Sequence, residues 1–151
     1  MTGHSAPLHR WTVQRFRPQE RRIADPVRAW AFGLALRCAA QLGFAIVLVG
    51  SARTGKTYLL HRVCPPSRVM NSHARLAQNN YRRAPLDPAS WPSGTVALDE
   101  AAQIDSSELQ MIAPALRARR IVVAVQRPQD LTDNGFAEVL RSRPVLMVTL
   151  K

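Results

Sequence analysis

Three stretches of the chain, residues 44–49, 95–98 and 121–125, are almost continuously apolar and only as long as a strand. Such runs, rich in valine and isoleucine, predict strands covered on both faces, as in a parallel sheet. Residues 68–71 and 144–150 read as two further strands. Between them the period changes. After Asp25-Pro26, a helix cap followed by proline at the first helical position, Val27, Trp30, Ala31, Leu34, Ala35, Cys38 and Leu42 recur every three or four residues. This predicts a helix over 25–43 that lays this stripe on the sheet and ends at Gly43. Residues 58–62, 72–83 and 134–140 also read as helices. Another begins at the cap-like Asp105-Ser-Ser-Glu108 and carries Leu109, Ile112 and Leu116, with Pro114 expected to kink or divide it. The proline- and aspartate-rich span 85–94 reads as loop.

Strands alternating with helices define an α/β chain, a parallel sheet with helices on both faces. In such sheets ligands gather at the carboxyl ends of the strands. The residues at those ends therefore matter most. The first apolar run passes into Gly50-Ser51-Ala52-Arg53-Thr54-Gly55-Lys56-Thr57, with Tyr58 opening the helix beyond. Every position fits the phosphate-binding pattern G-x-x-x-x-G-K-[ST], in the strand–loop–helix context that gives the pattern meaning. Backbone N–H groups of the loop and of the helix start can cradle phosphates. Lys56 reaches the β- and γ-phosphates, and the Thr57 hydroxyl joins a Mg²⁺ shell. The strand over 95–98 stops on Asp99-Glu100. Asp99 suits the metal, and Glu100 suits activation of an attacking water. The run 121–125 ends at Gln126-Arg127, where either residue can contact the γ-phosphate or face solvent.

Composition narrows the setting. The chain has 151 residues, 46% of them hydrophobic, enough for one domain over residues 25–151. Residues 1–24 are polar and basic, without the apolar segment of a secretory leader, and no run is long enough to span a bilayer. Cys38 and Cys64 offer no disulfide framework, so a reduced, cytoplasmic setting is expected. The formal net charge is +11. Lys56 and Lys151 are the only lysines, so arginine carries this charge. A balance of that kind favours a polyanionic partner, nucleic acid first and DNA favoured. Candidate contacts are Arg15, Arg17, Arg21 and Arg22 in a basic, flexible arm over 1–24, and Arg75, Arg82 and Arg83 on the expected helix over 72–83. Aromatic Trp11 and Phe16 either stack on bases or tuck against the domain.

Over residues 44–151 these motifs resemble the P-loop NTPases, in particular the ASCE division, in which a catalytic glutamate follows the metal-binding aspartate. The resemblance implies a three-layer fold with a five-stranded parallel sheet in the order 5-1-4-3-2. It implies ATP and Mg²⁺ as ligands, residues 50–57 as Walker A, Asp99 as the Walker B aspartate, Glu100 as base and Gln126 in the sensor position. The Gln126-Arg127-Pro128 stretch is similar to FtsK/HerA DNA-pumping ATPases, and Leu98 to Asp105 to superfamily 1 helicases. A compact basic version also resembles small ATPases of plasmids and other mobile elements. No arginine finger is assignable by pattern, although Arg127, Arg141 and Arg143 are candidates. Hydrolysis would then involve an oligomer or a partner. Two other readings are a nucleotide-gated binding module with little turnover and a small-molecule kinase, the latter disfavoured by the acid pair.

Overall fold

The computed structural model describes residues 9–13, 24–65, 68–71, 87–91 and 93–150. Among them, strands β1 (His9–Val13), β2 (Ala45–Val49), β3 (Val69–Asn71), β4 (Thr95–Asp99), β5 (Arg120–Val125) and β6 (Val145–Leu150) form one sheet in the order β1-β6-β2-β5-β4-β3. All neighbouring pairs are parallel. Counted from β2, the five expected strands lie in the order 5-1-4-3-2, as the resemblance implies. The sixth strand is a departure. His9–Val13, read by its charge as part of a basic arm, pairs along β6 from His9 beside Leu146 to Val13 beside Leu150. Its Trp-Thr-Val sequence has the aromatic and β-branched character of a strand, which the flanking arginines obscured.

Side chains of β2 alternate between two cores, as a period of two requires. Val47 and Val49, with Leu98, Val123 and Val125, face helices α3 (Ser106–Arg117) and α5 (Phe136–Leu140). Ile46 and Leu48, with Val122, Ala124 and Val148, face α1 (Ala24–Gln41) and α2 (Lys56–Val63). A short helix α4 (Gln129–Asp133) follows β5. Burial of β2 is complete along its length. That is why the sequence there is apolar at every position rather than at alternate ones.

Helix α1 is present but turned from the expected orientation. Its buried side chains are Ala29, Leu36 and Ala40, whereas Val27, Trp30 and Leu34 are 65%, 59% and 44% exposed. Ala31, Ala35, Cys38 and Leu42, also placed on the predicted stripe, are exposed too. The reason lies in the crossing with α2. A Cβ on Gly33 would stand 2.7 Å from Arg62 Cβ, so the helices approach most closely at Gly33, and the face that Gly33 shares with Ala29, Leu36 and Ala40 is the one turned inward. The helix closes as predicted: Gly43 has φ +92°, and Phe44 N and Gly43 N donate to Ala39 O and Ala40 O in the two bonds of a Schellman motif.

Asp105 caps α3, its carboxylate accepting from Glu108 N at 2.8 Å. Pro114 does not divide that helix, which continues to Arg117. Pro114 is exposed, as is Gln110, whose carbonyl the proline leaves without a helical donor. Within the expected loop over 85–94, Pro88–Ser90 forms a 3-10 turn capped by Asp87. The expected helix over 72–83 lies outside the described residues, as do Arg15, Arg17, Arg21, Arg22, Arg75, Arg82 and Arg83.

Candidate functional site

Because all strands run the same way, the residues after β2, β4 and β5 arrive at one end of the sheet. They surround a cleft of about 690 Å³, within the size range of small-molecule sites. Its walls include Ala52, Arg53, Gly55, Lys56, Thr57, Asp99, Glu100, Gln126, Arg127 and Asp130.

The loop that forms the floor is held from below. Gly50 N donates to Val125 O at 3.2 Å, tying the loop to β5. A Cβ on Gly50 would lie 2.5 Å from Thr54 Oγ1 and 3.0 Å from Leu150 O, so no larger residue fits. Thr54 turns its hydroxyl back to Ser51 O at 2.9 Å. Arg53 and Gly55 both have positive φ, 65° and 90°. That curl leads directly into α2, whose first turn offers unpaired N–H groups and the positive end of its dipole.

Lys56 is buried at 9% exposure, and its ammonium donates to Gly50 O at 2.5 Å and Ser51 O at 2.7 Å. Burial lowers its pKa from the ordinary 10.5, an effect opposed by the charges of Asp99 and Glu100. Thr57 Oγ1 donates to Asp99 Oδ2 at 2.7 Å. The other carboxylate oxygen of Asp99 accepts from Glu100 N at 3.0 Å. Asp99 is 2% exposed and forms no ion pair with a described residue. A carboxylate this buried is costly unless positive charge offsets it. The nearby Lys56 ammonium supplies part of that charge without forming an ion pair, and a threonine hydroxyl at the carboxylate's side is hard-oxygen chemistry. These two residues therefore fit Mg²⁺, which takes one or two protein oxygens and completes its shell with water and phosphate. Among the described residues no group of three or more His, Cys, Asp or Glu stands together as a metal cage.

Glu100 is half-buried at the cleft wall with φ 53°, a left-handed conformation unusual for a side chain of this kind. It ends β4 and turns the chain sharply into a 3-10 turn at Ala101–Gln103. Gln126 and Arg127 are exposed on the opposite wall. Arg127 is not free: its N–H donates to Asp130 Oδ2 at 2.9 Å, and its guanidinium to Asp130 Oδ1 at 3.3 Å.

Of the phosphate-loop residues, Ala52, Arg53, Gly55, Lys56 and Thr57 line the cleft. Gly50, Ser51 and Thr54 shape the loop beneath. Tyr58 turns away, its hydroxyl accepting from Arg62 Nη2 at 2.8 Å. The sequence reading missed Asp130, a carboxylate 8% exposed in the cleft wall. Its signal was present in Arg127-Pro-Gln-Asp130, an acid three residues past a candidate arginine where a tight turn brings the two together.

This architecture, a parallel sheet in that order with a phosphate-type loop after β2, is the three-layer fold of the P-loop NTPases. No protein-family model and no curated protein matches the sequence. Solved structures do match. The RuvB Holliday junction branch migration motor of Thermotoga maritima aligns with a TM-score of 0.53 and 19% identity, over 90% of this chain and 49% of that one. A single-residue variant of the same RuvB gives 0.54 and 19% over the same shares. This chain spans about half the length of those RuvB chains. At such identity the likeness is one of fold.

Proposed function

We propose that this chain binds ATP with Mg²⁺ and hydrolyses it, and that the hydrolysis serves the transfer, packaging or maintenance of DNA, such as that of a plasmid, by an oligomer or a larger complex. The observation that carries the ATPase reading is the convergence of Lys56, Thr57, Asp99 and Glu100 on one cleft from the tips of β2 and β4. A phosphate loop alone serves kinases and switches equally. A glutamate beside the metal-binding aspartate serves water.

In this reading Lys56 exchanges the Gly50 and Ser51 carbonyls for the β- and γ-phosphate oxygens. The loop and first-turn N–H groups hold the phosphate chain. Thr57 and Asp99 would hold the metal, which would supply charge neutralisation on the phosphates. The Glu100 carboxylate accepts the proton of the attacking water, and its position is fixed by the turn that follows β4. Gln126 and Arg127 contact the γ-phosphate from the β5 side. A DNA role draws support from the net charge of +11 and from the shared fold of a Holliday junction branch migration motor.

Phosphate release measured with and without DNA tests this. Turnover is expected in the wild type, rising on addition of DNA. Glu100→Gln is expected to keep nucleotide affinity and lose turnover by a factor of about a hundred or more, the usual contribution of a positioned base. Equal turnover in wild type and Glu100→Gln would remove the glutamate from the mechanism. Nucleotide binding unchanged in Lys56→Ala would remove the site.

A further inference from the structure

The end of the sheet away from the cleft has a different character. Arg68 stands immediately before β3, Arg120 begins β5, and Arg143 lies two residues before β6. Arg117 and Arg119 lie at the end of α3, which runs from the carboxyl end of β4 back to this same edge. The arginines are held close together. Arg143 donates through Nη1 to Arg119 O and through Nη2 to Arg117 O. Arg119 Nη1 donates to Ala115 O at 3.0 Å, and its guanidinium lies over the Trp91 ring, 5.7 Å from the centroid. Arg68 Nη1 donates to Ser93 O at 3.4 Å on the next strand's approach.

None of these five arginines pairs with a described carboxylate. The acids nearby are engaged elsewhere: Asp87 caps its own turn, and Glu138 pairs with Arg141. Asp99, Glu100, Asp105 and Asp130 all lie at the opposite end, around or beside the cleft. The charge is therefore segregated along the strands. Five guanidinium groups at one edge repel one another unless an anion joins them. Arg119 Nε is also buried without a hydrogen-bond partner among the described residues, which adds to the cost of assembling this cluster.

We infer that this amino-terminal edge of the sheet, centred on Arg117, Arg119, Arg120 and Trp91, is a docking surface for the sugar-phosphate backbone of nucleic acid. The inference rests on the nucleic-acid side of the function proposed above and gives it a location separate from the cleft. Three features favour nucleic acid over an acidic polypeptide. The positive groups are arginines, whose planar fork matches phosphate oxygens. Arg68 and Arg120 open β3 and β5, two strand spacings apart, about 10 Å, the rise of about three nucleotides of one B-form strand. The half-buried Trp91, packed against the core, carries the Arg119 guanidinium over its ring and so holds that cation at the edge, where its flat face can meet a phosphate or a base.

The experiment is a titration of the full chain against labelled single-stranded and duplex oligonucleotides of mixed sequence, read by fluorescence anisotropy over a series of salt concentrations. Wild type should bind with affinity that falls steeply as salt rises. Arg117→Gln/Arg120→Gln, which leaves the cap-forming Arg119 and Arg143 in place, should weaken binding about tenfold or more and flatten the log–log salt slope by about 1.4 for single strands. Its affinity for ATP should equal that of wild type. Arg117→Glu alone, at the exposed last turn of α3, serves if the double variant does not fold, and should weaken binding in the same direction.

The outcomes separate the two claims. Wild-type binding that is unchanged in these variants, in affinity and slope, would overturn this surface while leaving the nucleic-acid partner standing. Absence of any oligonucleotide binding by wild type would overturn both the surface and that partner, yet leave ATP hydrolysis untouched. Polyglutamate competing as well as an oligonucleotide of equal charge would overturn the choice of nucleic acid.

Discussion

At the residue scale the candidate site is a small set of enforced positions. Gly50 is the clearest, because any side chain there meets Thr54 Oγ1 and the Leu150 carbonyl. Gly50→Ala should lower nucleotide affinity and reduce stability by about 1–3 kcal/mol, the usual cost of overpacking, as read by titration and denaturant unfolding. Lys56 makes a prediction about pH. Burial lowers its folded pKa below 10.5, so between the folded and unfolded values the unfolded chain binds more protons and stability rises with pH. Any advantage in melting temperature of Lys56→Met over wild type, without nucleotide, should therefore shrink as pH climbs from neutral towards 10.5. A gap independent of pH would mean that the lysine titrates alike in both states. Asp130 lines the cleft and accepts from the Arg127 N–H and guanidinium, which suits it to hold Arg127 in place. Asp130→Asn should lower turnover about tenfold with little change in KM, and Asp130→Glu should restore part of it. The phosphate loop and the Asp99-Glu100 pair were legible because each is contiguous and sits at the end of an apolar run. Asp130 was not, since its role exists only once the turn after β5 folds the acid back onto Arg127.

At the scale of elements, the strands were legible because their burial on both faces leaves no alternation to misread. Helix α1 was legible as a helix but not in its orientation. Apolar residues occur nearly all round it, and the decision between faces was made by the close crossing with α2, where Gly33 meets Arg62. Large apolar residues such as Val27 and Trp30 form the more obvious stripe, yet the close approach is possible only on the face that Gly33 shares with Ala29, Leu36 and Ala40. The orientation has a direct test. Leu36→Ala should cost about 2–5 kcal/mol in denaturant unfolding, the range for a buried leucine, whereas Leu34→Ala should cost well under half as much. Equal losses at the two positions would return α1 to the orientation its periodicity suggested. Strand β1 was missed for the converse reason, since a local strand pattern in His9–Val13 lay inside a segment whose overall charge spoke louder.

At the scale of the whole molecule, the ends of the sheet differ in chemistry, carboxylates around the cleft and arginines at the far edge, and this bears on how the cleft completes itself. Among the described residues, the arginines lining the cleft are Arg53 and Arg127. Arg127 is already held by Asp130. Arg141 and Arg143 follow α5 at the far edge, bonded to Glu138 and to the carbonyls at the end of α3. They do not line this chain's own cleft, so a neighbouring copy is one place where they would meet a bound nucleotide. Phosphoryl transfer to water commonly gains a factor of about 10³–10⁵ from an arginine delivered to the γ-phosphate. If a neighbouring copy delivers it, turnover per chain should rise with protein concentration and then level off, while nucleotide affinity of the separate chains stays constant. Arg141→Ala should lower the plateau without altering nucleotide affinity. Turnover independent of concentration, but abolished by Arg127→Ala, would place the decisive arginine within the same chain and make the Asp130 contact its holding position.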